Sequence, residues 1–286
     1  MNRPAPKRVL DEAQFVQLRD LIHEASGIYF NGNKRYLLES RLQDRLKARG
    51  LHSFEEYLYF LKFDGRRSEE LKFVFNVITT NETSFYRNPP QMEAFANSIL
   101  PALIARKRAQ GSYRIRMWSA GCSSGEEPYS MAMLVRNTLG SALRDFRVEI
   151  HGTDISTEML ERAEAGVYSN YTLRSLPGVL KEQHFVQTAA DAWQINSNVR
   201  EMVRFAQLNL NDAERLRTMR GFDIIFCRNV LIYFDMDAKK RFVSAFYDAL
   251  VPGGTLLLGH AESLHNVSRA FRLEYFEGAL AYRKEE

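Results

Sequence analysis

The sequence predicts an α/β protein in two parts: a small all-helical N-terminal domain, then a doubly wound, mainly parallel sheet flanked by helices. Three observations predict it. Up to Ile78 the apolar residues recur only at helical spacing. Beyond Tyr113, short apolar runs of strand type alternate with helical segments. At the end, Gly278 divides two alternating apolar runs, the pattern of an antiparallel hairpin.

The helical domain is expected over residues 10–78. Phe15, Leu18, Leu21 and Ile22 make the stripe of a first helix that Gly27 ends. Asn31-Gly32-Asn33 signals a turn, and a second helix runs from Lys34 to Arg49 and stops at Gly50. Ser53 with Glu56 reads as a capping box for a third helix, whose face is Phe54, Tyr57, Leu58 and Leu61. A fourth extends from about Ser68 to Ile78. Residues 79–111 form a connector that Asn88-Pro89-Pro90 interrupts and that ends in a helix from Met92 to Arg108. Residues 112–286 are the α/β part. Its strands are Arg114–Ala120, Arg147–Thr153, Val203–Leu208, Phe222–Cys227 and Gly254–Gly259, with the hairpin over Phe271–Arg283. Residues 167–202 break the alternation and are expected to be an inserted subdomain.

Composition narrows the function classes. Hydrophobic residues at 45% allow a sizeable core, and no apolar run approaches the roughly 20 residues of a membrane span. The first residues lack the apolar centre of a signal peptide, so a cytoplasmic protein without direct membrane insertion is expected. Both cysteines, Cys122 and Cys227, sit inside motifs, which argues against a disulfide scaffold. Six scattered histidines give no zinc spacing, so no metal site is expected. The net charge of +4 permits an acidic partner without demanding nucleic acid.

Four segments carry chemistry. Trp118 to Pro128 runs from a strand through Gly121 and Gly125 into a helix, the turn by which backbone approaches a nucleotide-like ligand. Such turns serve dinucleotides and S-adenosylmethionine alike. The methyl donor is favoured because G-x-G-x-x-G is absent and Glu126 and Glu127 would repel a pyrophosphate; as plain structure, they complement a helix N-terminus. Asp154, ending the second strand, can accept hydrogen bonds from ribose hydroxyls. It could instead cap the next helix, but Ser156 can fill that cap. The strand Phe222–Cys227 delivers Arg228 and Asn229 to its carboxyl end, with Tyr233 and Phe234 following as either core or an aromatic face for a sulfonium. Thr79 to Arg87 is unusually polar for a segment between helices, though a linker would explain that too.

Asn81-Glu82-Thr83-Ser84-Phe85-Tyr86-Arg87, Ser123-Ser124-Gly125-Glu126-Glu127-Pro128-Tyr129-Ser130 and Phe226-Cys227-Arg228-Asn229-Val230-Leu231-Ile232-Tyr233-Phe234 together resemble the CheR receptor methyltransferases. The resemblance covers nearly the whole chain. It implies a Rossmann-like methyltransferase that uses S-adenosylmethionine, leaves S-adenosylhomocysteine, and esterifies glutamates on the methylation helices of chemotaxis receptors. It assigns Asn81, Thr83 and Arg87 to a segment leaning over the cofactor, with Arg87 also near the reacting carboxylate. Glu127 becomes a cofactor contact beside Gly121, Asp154 the ribose ligand, and Asn209 with Leu210 the adenine side. Arg228 and Asn229 line the methionine end, and Tyr233 stands near the transferred methyl.

The second helix is strongly basic. Arg41, Arg45 and Arg49 fall at i, i+4 and i+8, and the resemblance makes that column the face offered to an acidic receptor region. Some family members grip a receptor's C-terminal pentapeptide through a glycine-containing loop of a β-subdomain. The turn Thr188-Ala189-Ala190-Asp191-Ala192 here has no glycine, so no such tether is expected. The alternatives are a methyltransferase with another acceptor and a cofactor-binding signalling protein without transfer. A nicotinamide oxidoreductase ranks last, because the phosphate fingerprint is missing.

Overall fold

In the computed structural model, residues 8–285 are described; residues 1–7, which include most of the N-terminal stretch read above, and Glu286 lie outside them. Four helices make the N-terminal unit: α1 (Glu12–Ser26), α2 (Arg35–Ala48), α3 (Phe54–Phe63) and α4 (Arg67–Ile78). Their apolar stripes meet in one core built on Phe15, Leu18, Leu38, Leu42, Leu46, Tyr57 and Val74. The Ser53 cap forms, its hydroxyl accepting from Glu56 N–H at 3.1 Å. The return half of the box does not: Glu56 takes the His52 N–H at 2.7 Å, one residue early. Residues 28 and 234 add an isolated antiparallel bridge, so the helical unit does lend one extended segment to the second domain.

The expected connector helix begins earlier than Met92: α5 (Pro89–Ala94) starts on the two prolines, whose missing N–H groups fall where a helix has no acceptors to offer. It continues through a π-helical turn, Phe95–Ile99, into α6 (Leu100–Ala109). The irregular turn directly precedes Pro101, whose ring would press on the carbonyl of Asn97 in an unbroken α-helix.

The α/β unit is built on β1 (Arg114–Ala120), α7 (Glu126–Leu139), β2 (Arg147–Asp154), α8 (Thr157–Ala165), β6 (Val203–Gln207), α11 (Ala213–Thr218), β7 (Phe222–Cys227), α12 (Met236–Ala249) and β8 (Leu250–Leu258). The hairpin β9 (Phe271–Phe276) and β10 (Ala279–Lys284) completes a seven-stranded sheet, order β6-β2-β1-β7-β8-β10-β9. The first five strands in that order are parallel, and β10 and β9 are antiparallel additions. Alternate residues of β1 divide between two cores. Ile115 and Met117 face the helices α5 to α7, while Trp118 and Ala120 face α11 and α12. The chain leaves β1 towards β2 on one side and β7 on the other, so a crevice opens beyond the carboxyl end of β1, where such sheets bind ligands.

The insertion is a separate three-stranded antiparallel sheet, order β3-β5-β4, made by β3 (Val167–Tyr168), β4 (Phe185–Ala189) and β5 (Ala192–Ile195). The short helices α9 (Gly178–His184) and α10 (Ser197–Arg200) flank it. Among the described residues, no helix is long and apolar enough to cross a membrane.

Candidate active site

The crevice is a cleft of about 320 Å³ between the helical unit and the carboxyl ends of β1, β2, β6 and β7. Each strand end delivers what its sequence carried there. After β1 the chain turns through Gly121 at φ +79°, and the N–H groups of Gly121 and Cys122 both donate to the Thr153 carbonyl. The glycine is required by its neighbours. A Cβ at Gly121 would stand 2.5 Å from Val230 Cγ2, so the turn is glycine because the loop after β7 packs against it. Gly121 also lines the cleft, so the same bare backbone borders the space where a ligand would lie.

Asp154, at the end of β2, is buried and accepts the N–H groups of Ser123 (2.8 Å) and Ser156 (2.9 Å). Ser156, not Asp154, caps α8 through its hydroxyl. Burial raises the Asp154 carboxyl above its ordinary value, against the backbone donors Ser156, Ser123 and Ile155. These N–H donors still leave acceptor capacity on the carboxylate for a hydroxyl group in the cleft.

At the opposite wall, Glu127 in the first turn of α7 accepts from Ser119 Oγ at 2.7 Å and pairs with Arg228 Nη1 at 3.3 Å. Arg228 is buried and Glu127 largely so, and desolvation pushes Glu127 up and Arg228 down, each towards its neutral form. Arg228 also donates to the carbonyl of Arg87, while its Nε is buried without a partner among the described residues. Arg87 in turn donates to the Glu82 carbonyl at 2.9 Å. Glu127, Arg228 and Arg87, predicted from three separate motifs, thus form one connected chain.

The polar segment 79–87 is a strap over the cleft and not a loose linker. Tyr86 N–H donates to Ser130 Oγ and Phe85 N–H to the Thr172 carbonyl, while Ser123 Oγ donates to the Asn81 carbonyl. Phe85 is fully buried, edge-on to Tyr168 and Phe185, which clamps the strap between the main sheet and the insertion. Asn81, Thr83 and Arg87 therefore face the same space as Gly121, Glu127, Asp154, Arg228, Asn229 and Tyr233.

Asn209 and Leu210 line the cleft too, but the Asn209 side chain is otherwise engaged. Its Nδ2 donates to the Ala25 carbonyl at 2.7 Å and its Oδ1 accepts from Asn211 N–H. It thereby ties the cleft wall to the helical unit, with Leu210 as the apolar part of that wall. Sequence reasoning missed the contribution of Ser26, Ile28, Tyr29 and Phe30, which close the cleft from the helical side. Tyr29 N–H donates to the Tyr233 carbonyl at 2.9 Å, and nothing local in residues 26–30 signals that pairing.

The basic column is the clearest correction. Arg41, Arg45 and Arg49 do align, yet the column borders the buried stripe Leu38, Leu42 and Leu46 and turns inward. Arg45 meets the fully buried Glu70 of α4 through two bonds of 2.7 and 2.8 Å, and Arg49 and Tyr57 bind the same carboxylate. Burial alone would raise Glu70, but these three donors outweigh it and hold its carboxyl below the ordinary range. Arg41 donates to the Ile78 carbonyl and to Thr80 Oγ1, and reaches the cleft wall. Arg45 and Arg49 do not stand as a free basic face.

Comparison with known proteins agrees with this geometry. Residues 13–79 match the model of the CheR methyltransferase all-alpha domain, and residues 81–277 match that of the CheR methyltransferase SAM binding domain. The chain belongs to the CheR methyltransferase family. It is 35% identical to chemotaxis protein methyltransferase 2 of Vibrio cholerae, over 96% of this chain and 94% of the relative. It is 35% identical to the chemotaxis protein methyltransferase of Borreliella burgdorferi, covering 94% and 93%. The corresponding figures for that of Escherichia coli are 35%, 92% and 89%.

The cofactor of this CheR-family chain is S-adenosylmethionine. Its cleft suits that molecule on its own chemistry. A buried carboxylate, Asp154, stands where vicinal hydroxyls can bind; Ile155 and Leu210 offer an apolar wall; and the Glu127–Arg228 pair offers both charges to an amino-acid end.

Proposed function

We propose that this chain transfers the methyl group of S-adenosylmethionine to glutamate side-chain carboxylates on the methylation helices of chemotaxis receptors, in the cytoplasm, forming methyl esters. The observation that carries this is the connected chain Glu127–Arg228–Arg87, which ties the cofactor wall to the backbone of Arg87, whose half-buried guanidinium lies on the rim of the same cleft.

A glutamate carboxyl has a reference pKa of about 4.3 and is ionised at neutral pH, so the reaction needs no general base. When bound, the cofactor supplies an electrophilic methyl on a sulfonium. The protein's part is alignment. Arg87, held by the Glu82 carbonyl, orients the acceptor carboxylate through its remaining N–H groups. Positioning of this kind supplies about 7–11 kcal/mol of barrier reduction in favourable cases. Tyr233 keeps one side of the reacting centre aromatic, and its backbone is fixed by Tyr29 N–H. Strap and helical unit together exclude water.

Receptor recognition falls to the rim. Arg41 and Lys34 line the cleft from the helical unit, and Lys34 has no carboxylate partner among the described residues. A C-terminal peptide tether is not part of the proposal. The β4–β5 turn is instead bound by its own subdomain, with Asp191 accepting from Asn170 N–H at 2.6 Å and Ala190 O from Asn170 Nδ2 at 3.3 Å.

The test is transfer of labelled methyl from S-adenosylmethionine to receptor-containing membranes, followed by mild alkali. Label released as volatile methanol is the expected result. Binding of the cofactor without transfer to any receptor would favour another acceptor or a signalling role.

A further inference from the structure

Glu262 lies in the loop between β8 and β9, outside every motif considered above, yet its carboxylate is the hub of the loop that follows β7. Oε2 accepts the N–H groups of Asn229 (2.7 Å) and Gly259 (2.8 Å). Oε1 accepts those of Val230 (3.0 Å) and Ile232 (3.3 Å). Backbone donors from two strand ends converge on one carboxylate and exchange no hydrogen bond with each other there. The surroundings are shaped to admit it. A Cβ at Gly259 would stand 2.7 Å from Glu262 Oε2 and 2.9 Å from Asn229 N, so only glycine lets the carboxylate and the turn approach each other. Asn229 itself has φ +60°, a conformation that costs a non-glycine residue about 1–3 kcal/mol unless its surroundings impose it.

We propose that Glu262 is a positioning residue for methyl transfer: by gathering these amides it sets the left-handed turn that places Arg228, Asn229 and Tyr233 in the cleft. The inference rests on the proposed function above for its catalytic part and on the cofactor cleft alone for its binding part. Each consequence follows from the backbone. Arg228 immediately precedes the first amide held and Tyr233 immediately follows the last. Val230, held between them, is the side chain that packs on Gly121. Glu262 therefore couples the β7 loop to the β1 turn without lining the cleft itself.

The substitution Glu262→Gln keeps the volume but replaces one acceptor oxygen by an NH₂ donor, which faces two backbone N–H groups. It is expected to lower kcat by roughly tenfold or more and to weaken S-adenosylhomocysteine binding, read by calorimetry, by a comparable factor. Glu262→Asp, which keeps both oxygens but withdraws them by one methylene, is expected to recover part of both. A purely structural role would lower the melting temperature while leaving kcat and product affinity unchanged well below it, and that result would overturn the proposal. If Glu262→Gln does not accumulate folded, Glu262→Asp is judged by the same two readouts. Product binding needs no acceptor, so wild-type protein that binds it but methylates no receptor would refute the proposed function and leave the binding arm of the Glu262 test intact.

Discussion

Single side chains divide here into those that face the reaction and those that hold what faces it. Arg87→Ala removes the group that orients the acceptor but leaves Glu127, Asp154 and Arg228 in place. It is expected to lower kcat by roughly 100-fold while S-adenosylhomocysteine affinity changes less than about threefold. Equal losses in both would remove Arg87 from its role. Glu126 is a different case. It is buried in the first turn of α7 with Ser124 as its side-chain partner and no cation among the described residues, and burial pushes its carboxyl up to about 7. A raised folded-state pKa means the folded protein binds the proton more tightly than the unfolded chain. Stability is then lost as pH rises from the ordinary carboxylate range through about 7, by an amount on the order of 3 kcal/mol at full ionisation. Glu126→Gln should therefore raise the melting temperature at pH 8 and change it little near pH 4.5; an equal rise at both would contradict the assignment.

Among elements, the turn after β1 and the helix α2 make predictions of opposite kinds. Gly121→Ala meets both a positive φ and Val230, and should cost about 1–3 kcal/mol or more. Adding Val230→Ala relieves the contact but not the dihedral, so thermal denaturation of the pair should show partial recovery only. In α2, Arg45→Ala strips the buried Glu70 of its two-bond partner and should destabilise the helical unit by about 3 kcal/mol. Lys34→Ala should leave the melting temperature within about 1 °C of wild type. Its effect belongs to receptor methylation, slowed at low ionic strength and converging with wild type as salt screens the rim over about 8–10 Å. The pattern of basic residues in α2 was legible at once, yet its direction was not. Glu70 sits in the first turn of another helix, and no local feature of α2 announces a buried carboxylate across the interface.

For the molecule as a whole, the cleft exists because two folding units close on it. Asn209 and Asn211 donate to the Ala25 and Glu24 carbonyls at the end of α1, and His23 pairs with Asp235 at 2.7 Å. The double substitution Asn209→Ala with Asn211→Ala should loosen residues 26–30. Faster amide exchange at Tyr29 and a raised KM for the methyl donor are the expected signs; unchanged exchange there would mean that the bridge of Ile28 to Phe234 suffices to hold the wall.

Sequence alone determined the two-part α/β architecture, the order of strands along the chain, the inserted subdomain and the motif residues that converge on the cleft. The architecture rests on local information, namely hydrophobic period, turn chemistry and polar residues at the ends of apolar strands, whereas most of the motif residues were assigned by the family resemblance. Tertiary structure decided what those residues are paired with. It turned Arg45 and Arg49 onto Glu70, engaged Asn209 with the helical unit, packed Val230 against Gly121, and brought Glu262 to the β7 loop from more than thirty residues away. The physical reason is common to all four. A buried polar group or a close backbone approach must be satisfied by whatever atom the fold brings near, and that neighbour's identity is not encoded in the segment that needs it.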